Sequence, residues 1–273
     1  LVHLENLHPK GQAGIELGLE RVRQVKEALG QRQHCPVIMV GGTNGKGSTC
    51  AYLESIIDRA GYKVGCYTSP HLLAYNERIR LNGRSVSDAA LCAAFARVEA
   101  ARQGAGNVVL TYFEFGTLAA WEVFAAAGVE AAILEIGLGG RLDAVNVYDA
   151  DVAIVTTIAL DHTEWLGPDR ENIGFEKAGI YRPGRPALCA DPSPPQSLLD
   201  HAASIGADLR LIGRDFGFGR DPEDCLQWRW WCRSGRKLLK RTLAYPGLRG
   251  VTQLHNAAVA LAALDALGDR LPV

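Results

Sequence analysis

No two cysteines in this sequence stand in Cys-x-x-Cys spacing, and the seven that occur, at positions 35, 50, 66, 92, 189, 225 and 232, are scattered and odd in number. That pattern excludes a zinc ribbon or a disulfide framework. It predicts single thiols, mostly small buried side chains, in a reducing cytoplasm. No apolar run approaches the roughly 18–20 residues that cross a bilayer, and the first residues do not read as a secretory signal. An excess of one charge is missing too: 29 Lys and Arg stand against 30 Asp and Glu, a formal net charge of -1. No global field therefore draws the chain to nucleic acid or to an anionic membrane. Locally, Arg229, Arg233, Arg236, Lys237, Lys240 and Arg241 surround Trp228, Trp230 and Trp231. Base stacking on a basic strip is conceivable there, but the spacing about Ser234-Gly235 predicts a twisted β-hairpin with a solvated basic face. There is no internal repeat and no low-complexity tract.

What is present is an alternation of strands and helices over 273 residues, enough for one large core or for one domain and part of another. Strands are expected at 37–40, 64–67, 131–136, 152–158, 187–190 and 208–212. Helices are expected at 48–60, from a Ser87-Asp88 cap to about 102, at 113–126, 170–179, 197–205 and 252–267. The hairpin takes 226–232 and 237–244. Near-continuous apolar strands such as 131–136 belong in a sheet covered on both faces, so the fold class is α/β with a mostly parallel sheet.

The densest signal is Val37-Ile38-Met39-Val40-Gly41-Gly42-Thr43-Asn44-Gly45-Lys46-Gly47-Ser48-Thr49. A buried strand runs into a glycine-rich turn, a lysine, two hydroxyls and a helix. Backbone N–H groups of such a turn close on phosphate oxygens, and the helix N-terminus behind them favours negative charge. Lys46 is placed to reach the outer phosphates, and Ser48 or Thr49 to face a magnesium ion. Gly47 departs from the usual spacing by separating the lysine from the hydroxyl. Metal-ligand candidates end neighbouring strands: Glu135 after 131–134, His162 after Asp161, and Ser69 before Pro70. Taken singly, each also reads as an ordinary loop residue.

Gly-Thr-Asn-Gly-Lys-Gly-Ser, Thr-Ser-Pro-His-Leu, Glu-Ile-Gly-Leu-Gly-Gly-Arg-Leu-Asp-Ala, Ala-Leu-Asp-His-Thr and Glu-Lys-Ala-Gly-Ile follow one another along the chain. In that order they resemble the bacterial dihydrofolate synthase/folylpolyglutamate synthase family, the folate branch of the Mur ligase superfamily, from about Ile15 to the last helix. The family inserts a residue where Gly47 stands. The resemblance implies a P-loop central domain of the Mur ligase type. It implies an ATP-dependent ligase that activates a carboxylate as an acyl phosphate for attack by L-glutamate, first on 7,8-dihydropteroate and then on the γ-polyglutamate tail of folates. ATP is the co-substrate, contacted by Gly45, Lys46, Gly47, Ser48 and Asn256. Two Mg2+ ions are implied, one held by Ser69, Glu135 and His162, the other by Lys177 in carbamylated form. Lys46, Lys177 and His162 are the implied catalytic residues. Ile15, Glu16 and Leu17, then Thr111, Tyr112, Phe113 and Glu114, then Leu142, Asp143 and Ala144 match pterin-binding segments. Phe113 and Tyr112 are suited to stack on the ring, and Glu114 or Asp143 to pair with its N–H groups; helix packing is the plain alternative for the aromatics. The small-molecule partners are ATP, dihydropteroate or folate, and L-glutamate, with no nucleic acid and no membrane, in a monomeric cytoplasmic protein.

Family members continue into a Rossmann-like domain of about 100–150 residues. It supplies an arginine and an aspartate to ATP and much of the glutamate site. Residues 1–273 are expected to be the N-terminal and central part without that domain, and inactive alone. Three rivals stay open: a folylpolyglutamate synthase lacking the first activity, a Mur-type peptidoglycan ligase, and a nucleotide-binding switch without chemistry.

Overall fold

The computed structural model describes residues 7–9, 14–235, 237–250 and 252–273. Its first elements are α1 (Glu20–Ala28), β1 (Val37–Gly41), α2 (Lys46–Arg59) and β2 (Val64–Tyr67). Next come β3 (Ile79–Leu81), β4 (Arg84–Ser85), α3 (Asp88–Gly104), α4 (Tyr112–Ala127), β5 (Ala131–Glu135) and β6 (Val152–Val155). Then follow α5 (Thr163–Leu166), α6 (Arg170–Ala178), β7 (Pro186–Cys189), α7 (Gln196–Ser204) and β8 (Asp208–Leu211). The chain closes with β9 (Phe216–Arg220), β10 (Gln227–Ser234), β11 (Lys237–Ala244) and α8 (Gln253–Leu267).

Eight strands form one sheet in the order β4-β3-β2-β5-β1-β6-β7-β8. From β2 to β8 the pairings are parallel, and β3 and β4 add an antiparallel edge. Side chains alternate along a strand, and β1 shows the consequence. Val37 and Met39 join a core with α1, α3, α4, α6 and α7, whereas Ile38 and Val40 join a second core with α2 and α8. Both faces are thus covered, as the apolar strands require. β1 lies between β5 and β6, so the loop leaving its C-terminal end opens at the centre of the sheet, where α/β folds bind ligands.

The expected hairpin is the larger part of a three-stranded sheet, β11-β10-β9. β9 carries Gly217 and Gly219 among its five residues, too few side chains to give a strand signal. Trp228 and Trp230 are buried, with their indole N–H groups donating to the Ala244 carbonyl and the Ala258 carbonyl of α8, each at 3.1 Å. Arg229, Arg233 and Lys240 are exposed on the face opposite the buried tryptophans, where the basic face was predicted, and Lys237 and Arg241 are exposed on the other face; Arg236 lies outside the described residues. α1 was not expected either, although Val22 and Val25, with Leu19 and Leu29 at its ends, form an apolar stripe packed on the core. The strand expected to reach Ile158 stops at Val155, since Thr156 and Thr157 turn to support the loop after β1. Among the described residues no helix is long and apolar enough to cross a membrane.

Candidate functional site

The loop between β1 and α2 is held open by its neighbours. Gly42 has φ +137°, and a Cβ there would stand 1.9 Å from the Thr156 hydroxyl oxygen. Gly45, the helix N-cap, has φ +90°, and its Cβ would meet the Asn256 Oδ1 at 2.5 Å. Any other residue at either place forces a left-handed backbone and a collision. The Thr156 hydroxyl donates to the Asn44 carbonyl at 2.7 Å, the Thr43 N–H donates to the Thr157 carbonyl at 2.7 Å, and the Ala159 N–H donates to the Thr43 hydroxyl at 3.1 Å. Lys46 Nζ donates to the carbonyls of Gly42 at 2.9 Å and Thr43 at 3.2 Å. A phosphate entering the loop would offer this ammonium a charged acceptor in place of two neutral ones.

α8 closes the other side. Asn256 is buried against Gly45, and Gln253 Nε2 donates to the Ser48 hydroxyl oxygen at 3.4 Å. The sequence left two hydroxyls for a metal. Thr49 is fully buried, with its hydroxyl unpartnered in the interior, so it is not available. Ser48 remains half-buried beside the loop.

Ser69 follows β2, Glu135 ends β5 and His162 lies beyond β6, so all three sit at the C-terminal edge that carries the loop. The Ser69 N–H donates to Glu135 Oε2 at 3.1 Å. Glu135 is only 5% exposed. Burial raises its pKa, opposed by the Ser69 N–H and the charges of Lys46 and Arg80. A buried carboxylate with so little compensation is suited to a cation, and the carboxylate, hydroxyl and imidazole set fits Mg2+ or Mn2+. His162 adopts a left-handed conformation, φ 49°, at the start of α5. Its exposed imidazole stands 3.5 Å from Asp161. Among the described residues no three His, Cys, Asp or Glu side chains gather, so any cation here also relies on the hydroxyl and on phosphate oxygens.

Lys177 was open to a reading as a helix-surface residue, and the structure reverses it. The side chain is 3% exposed, and its pKa is lowered to about 8, first by burial and then by the charge of Lys46, against the pull of Asp161 and Asp143.

Beside the loop lies a cavity of about 470 Å³. The three segments expected to hold a pterin all line it: Ile15, Glu16 and Leu17; Thr111, Tyr112, Phe113 and Glu114; and Leu142, Asp143 and Ala144. Lys46, Ser69 and His162 line it as well. Phe113 is half-buried and meets Tyr67 with ring centroids 5.9 Å apart. Tyr112 is buried and packs edge-on against Tyr75 at 5.7 Å, nearer to the helix-packing alternative. Glu114 is already engaged. Its Oε2 accepts the Thr111 N–H at 2.7 Å while its own N–H donates to the Thr111 hydroxyl at 3.2 Å, a capping box. Arg21 binds both carboxylate oxygens, at 3.0 and 3.3 Å. Asp143 accepts the N–H groups of Leu138 at 2.8 Å and Val145 at 2.9 Å. Burial nevertheless pushes its pKa up to about 7, against those N–H groups and the charge of Lys46.

Two contributors were missed. Thr156 carried a signal, since a Thr-Thr pair directly after a strand next to a glycine loop is placed to brace it. Arg78, which also lines the cavity, carried none, because its neighbourhood Asn-Glu-Arg-Ile-Arg matches no motif.

No family model matches the sequence. A dihydrofolate synthase/folylpolyglutamate synthase of Escherichia coli (strain K12) is 49% identical over 269 residues, covering 98% of this chain and 60% of that protein. The Haemophilus influenzae protein of the same name is 42% identical over 268 residues, covering 98% and 57%. A solved structure of E. coli FolC in complex with DHPP and ADP superposes with a TM-score of 0.88 at 48% identity, covering 98% of this chain and 61% of that one. A bifunctional folylpolyglutamate synthase/dihydrofolate synthase with Mn, AMPPNP and L-glutamate bound gives 0.84 at 46%, covering 99% and 63%. The chain therefore spans about three fifths of the length of these relatives.

Proposed function

This chain is homologous to the bacterial dihydrofolate synthase/folylpolyglutamate synthases, and from that premise we propose that it carries the nucleotide, metal and pterin surfaces of an ATP-dependent folate ligase. The observation that carries the reading is the single cavity in which the three pterin segments meet the P-loop lysine. In the complete enzyme the carboxylate of 7,8-dihydropteroate attacks the γ-phosphorus of ATP. ADP leaves and an acyl phosphate forms. The amino group of L-glutamate then attacks the acyl carbon, and a tetrahedral intermediate collapses to the amide and phosphate. Repetition on folates extends the γ-linked tail.

Each residue has a task suited to its surroundings. The loop amides and Lys46 bind the phosphates and offset charge as phosphoryl transfer proceeds. Gly45, Gly47 and Ser48 shape that cradle, and Asn256, packed on Gly45, meets the nucleotide from α8. Ser69, Glu135 and His162 would hold one Mg2+ and Lys177 a second. Such ions would bridge and neutralise phosphate oxygens. The buried Lys177 amine, with its pKa near 8, has an appreciable neutral fraction at pH 7–8 and is therefore nucleophilic toward carbon dioxide, which supports carbamylation. Phe113 and the apolar side chains of Ile15, Leu17 and Leu142 cover a planar ring, and Asp143 pairs with its N–H edge. By the family resemblance, the remaining two fifths of the relatives' length holds a Rossmann-like domain with the glutamate site. The 273 residues alone then bind ligands without turning over. We place the protein in the cytoplasm, where its free thiols persist, as a monomer.

A coupled ADP-release assay on the full-length protein tests the assignment. Release that depends on glutamate is expected with dihydropteroate and with tetrahydrofolate. Release with tetrahydrofolate alone makes the protein a folylpolyglutamate synthase only; release with neither, or ligase turnover by the 273 residues alone, overturns the reading.

A further inference from the structure

Arg78 is the basic group in the cavity to which the proposed reaction gives no task. It ends the 3-10 turn Tyr75–Arg78 and is 8% exposed. Its guanidinium lies over the rings of Tyr75, at 5.3 Å, and Tyr112, at 5.6 Å. Its Nε donates to His71 Nδ1 at 2.8 Å, which fixes the plane of the fork. Among the described residues it forms no ion pair with a carboxylate. A guanidinium this far out of water is costly unless its donors are met. Nearby, the Tyr75 hydroxyl is buried without a hydrogen-bond partner, and the Tyr67 hydroxyl lies within hydrogen-bonding reach of Thr117 and Arg78. Arg78 thus brings a planar cation to the cavity, stacked on the rings of Tyr75 and Tyr112, with the unmet Tyr75 hydroxyl nearby.

Resting on the pterin reading, we propose that Arg78 reads the acceptor edge of the bound 7,8-dihydropteridine, the ring carbonyl together with the imine nitrogen N5 across the ring fusion; in a tetrahydro ring N5 carries hydrogen and the carbonyl alone is read. These two acceptors stand side by side as O6 and N7 do on guanine, the pattern an arginine fork matches in a bidentate way. The reacting carboxylate is the other candidate ligand. It has to meet the γ-phosphate, which lies with Lys46, whereas Arg78 shares the cavity with Phe113, the half-buried ring that suits a planar heterocycle. Arg78 is then a specificity-determining residue. It favours an oxo-pteridine over one with an amino group in place of the carbonyl, because amino hydrogens would face guanidinium hydrogens.

The test is calorimetry on the 273-residue chain with a 7,8-dihydropterin lacking the benzoate arm and with its 2,4-diamino counterpart. The wild-type chain is expected to prefer the carbonyl compound by about 10- to 100-fold, the range of a hydrogen bond to a charged group. Arg78→Met should remove most of that preference while ATP binding stays unchanged, the latter reporting an intact fold. Arg78→Lys, which keeps the charge but loses the planar fork, should fall between and serves if the Met variant does not fold. A variant that keeps the wild-type preference overturns the inference. So does an affinity loss seen only with ligands that carry the benzoate arm, which would make Arg78 a carboxylate anchor. Failure of the wild-type chain to bind either pteridine overturns the pterin reading itself, and this inference with it.

Discussion

Lys177 shows how position alone changes what a residue can do. On a helix surface its ammonium would stay charged. Buried next to Lys46, its pKa falls to about 8, and the neutral amine becomes available to carbon dioxide. Lys177→Ala in the full-length protein should therefore abolish most turnover, and added short carboxylic acids should restore part of it by standing in for the carbamate. Normal activity without rescue contradicts the modification. Lys46→Ala should lower kcat/KM by an amount equivalent to about 2–4 kcal/mol, the loss expected for one preorganised electrostatic group; near-normal turnover rules out its role. Asp143 gives a pH signature. Its pKa is raised from 3.8 to about 7 in the folded chain, so between those values the native state holds more protons than the unfolded chain. Stability from this group is present below pH 3.8 and is lost as pH rises through 7. Thermal melts of the ligand-free chain should show that loss, and Asp143→Asn should flatten it. An unchanged pH profile in the variant would place the titration elsewhere.

At the level of elements, the site is built from strand ends braced by short polar contacts. Thr156 ties the extension of β6 to the loop after β1. Thr156→Val keeps the branched shape and removes that hydrogen bond. It should cost about 1 kcal/mol of stability and weaken nucleotide binding, read by denaturant melts and by ATP titration; nucleotide affinity equal to wild type would show that the strut does not shape the cradle. The elements that carry β-branched or leucine-rich runs were legible. β2 was expected at its observed bounds, and β1 and β5 differ by one residue at one end. Ser87 caps α3 as its sequence suggested, accepting the Ala90 N–H. β9 was not legible, because it alternates with glycine; α1 was missed although Leu19, Val22, Val25 and Leu29 recur at helical spacing and pack on the core. The burial of Lys177 and Thr49 was also hidden. Residue type states a preference for water, and only packing decides whether it is met.

Across the whole molecule, sheet order turns sequence distance into proximity. β2, β5, β1 and β6 are neighbours, so Ser69, Glu135, the loop at 42–46 and His162 reach one edge from distant parts of the chain. The two faces divide the labour. α4 and the segment at 142–144 wall the cavity on one side, and α2 with α8 holds the nucleotide loop on the other. The sequence motifs named the participants; the crossovers that unite them follow from parallel pairing of apolar strands, which no local pattern encodes. The central claim is that nucleotide and pterin occupy adjoining surfaces of these 273 residues. Calorimetry with ATP–magnesium followed by dihydropteroate tests it most directly. Each ligand should bind once, with Lys46→Ala abolishing the first heat and sparing the second. A folded chain that takes up no nucleotide, or whose Lys46→Ala variant binds it unchanged, would contradict the account.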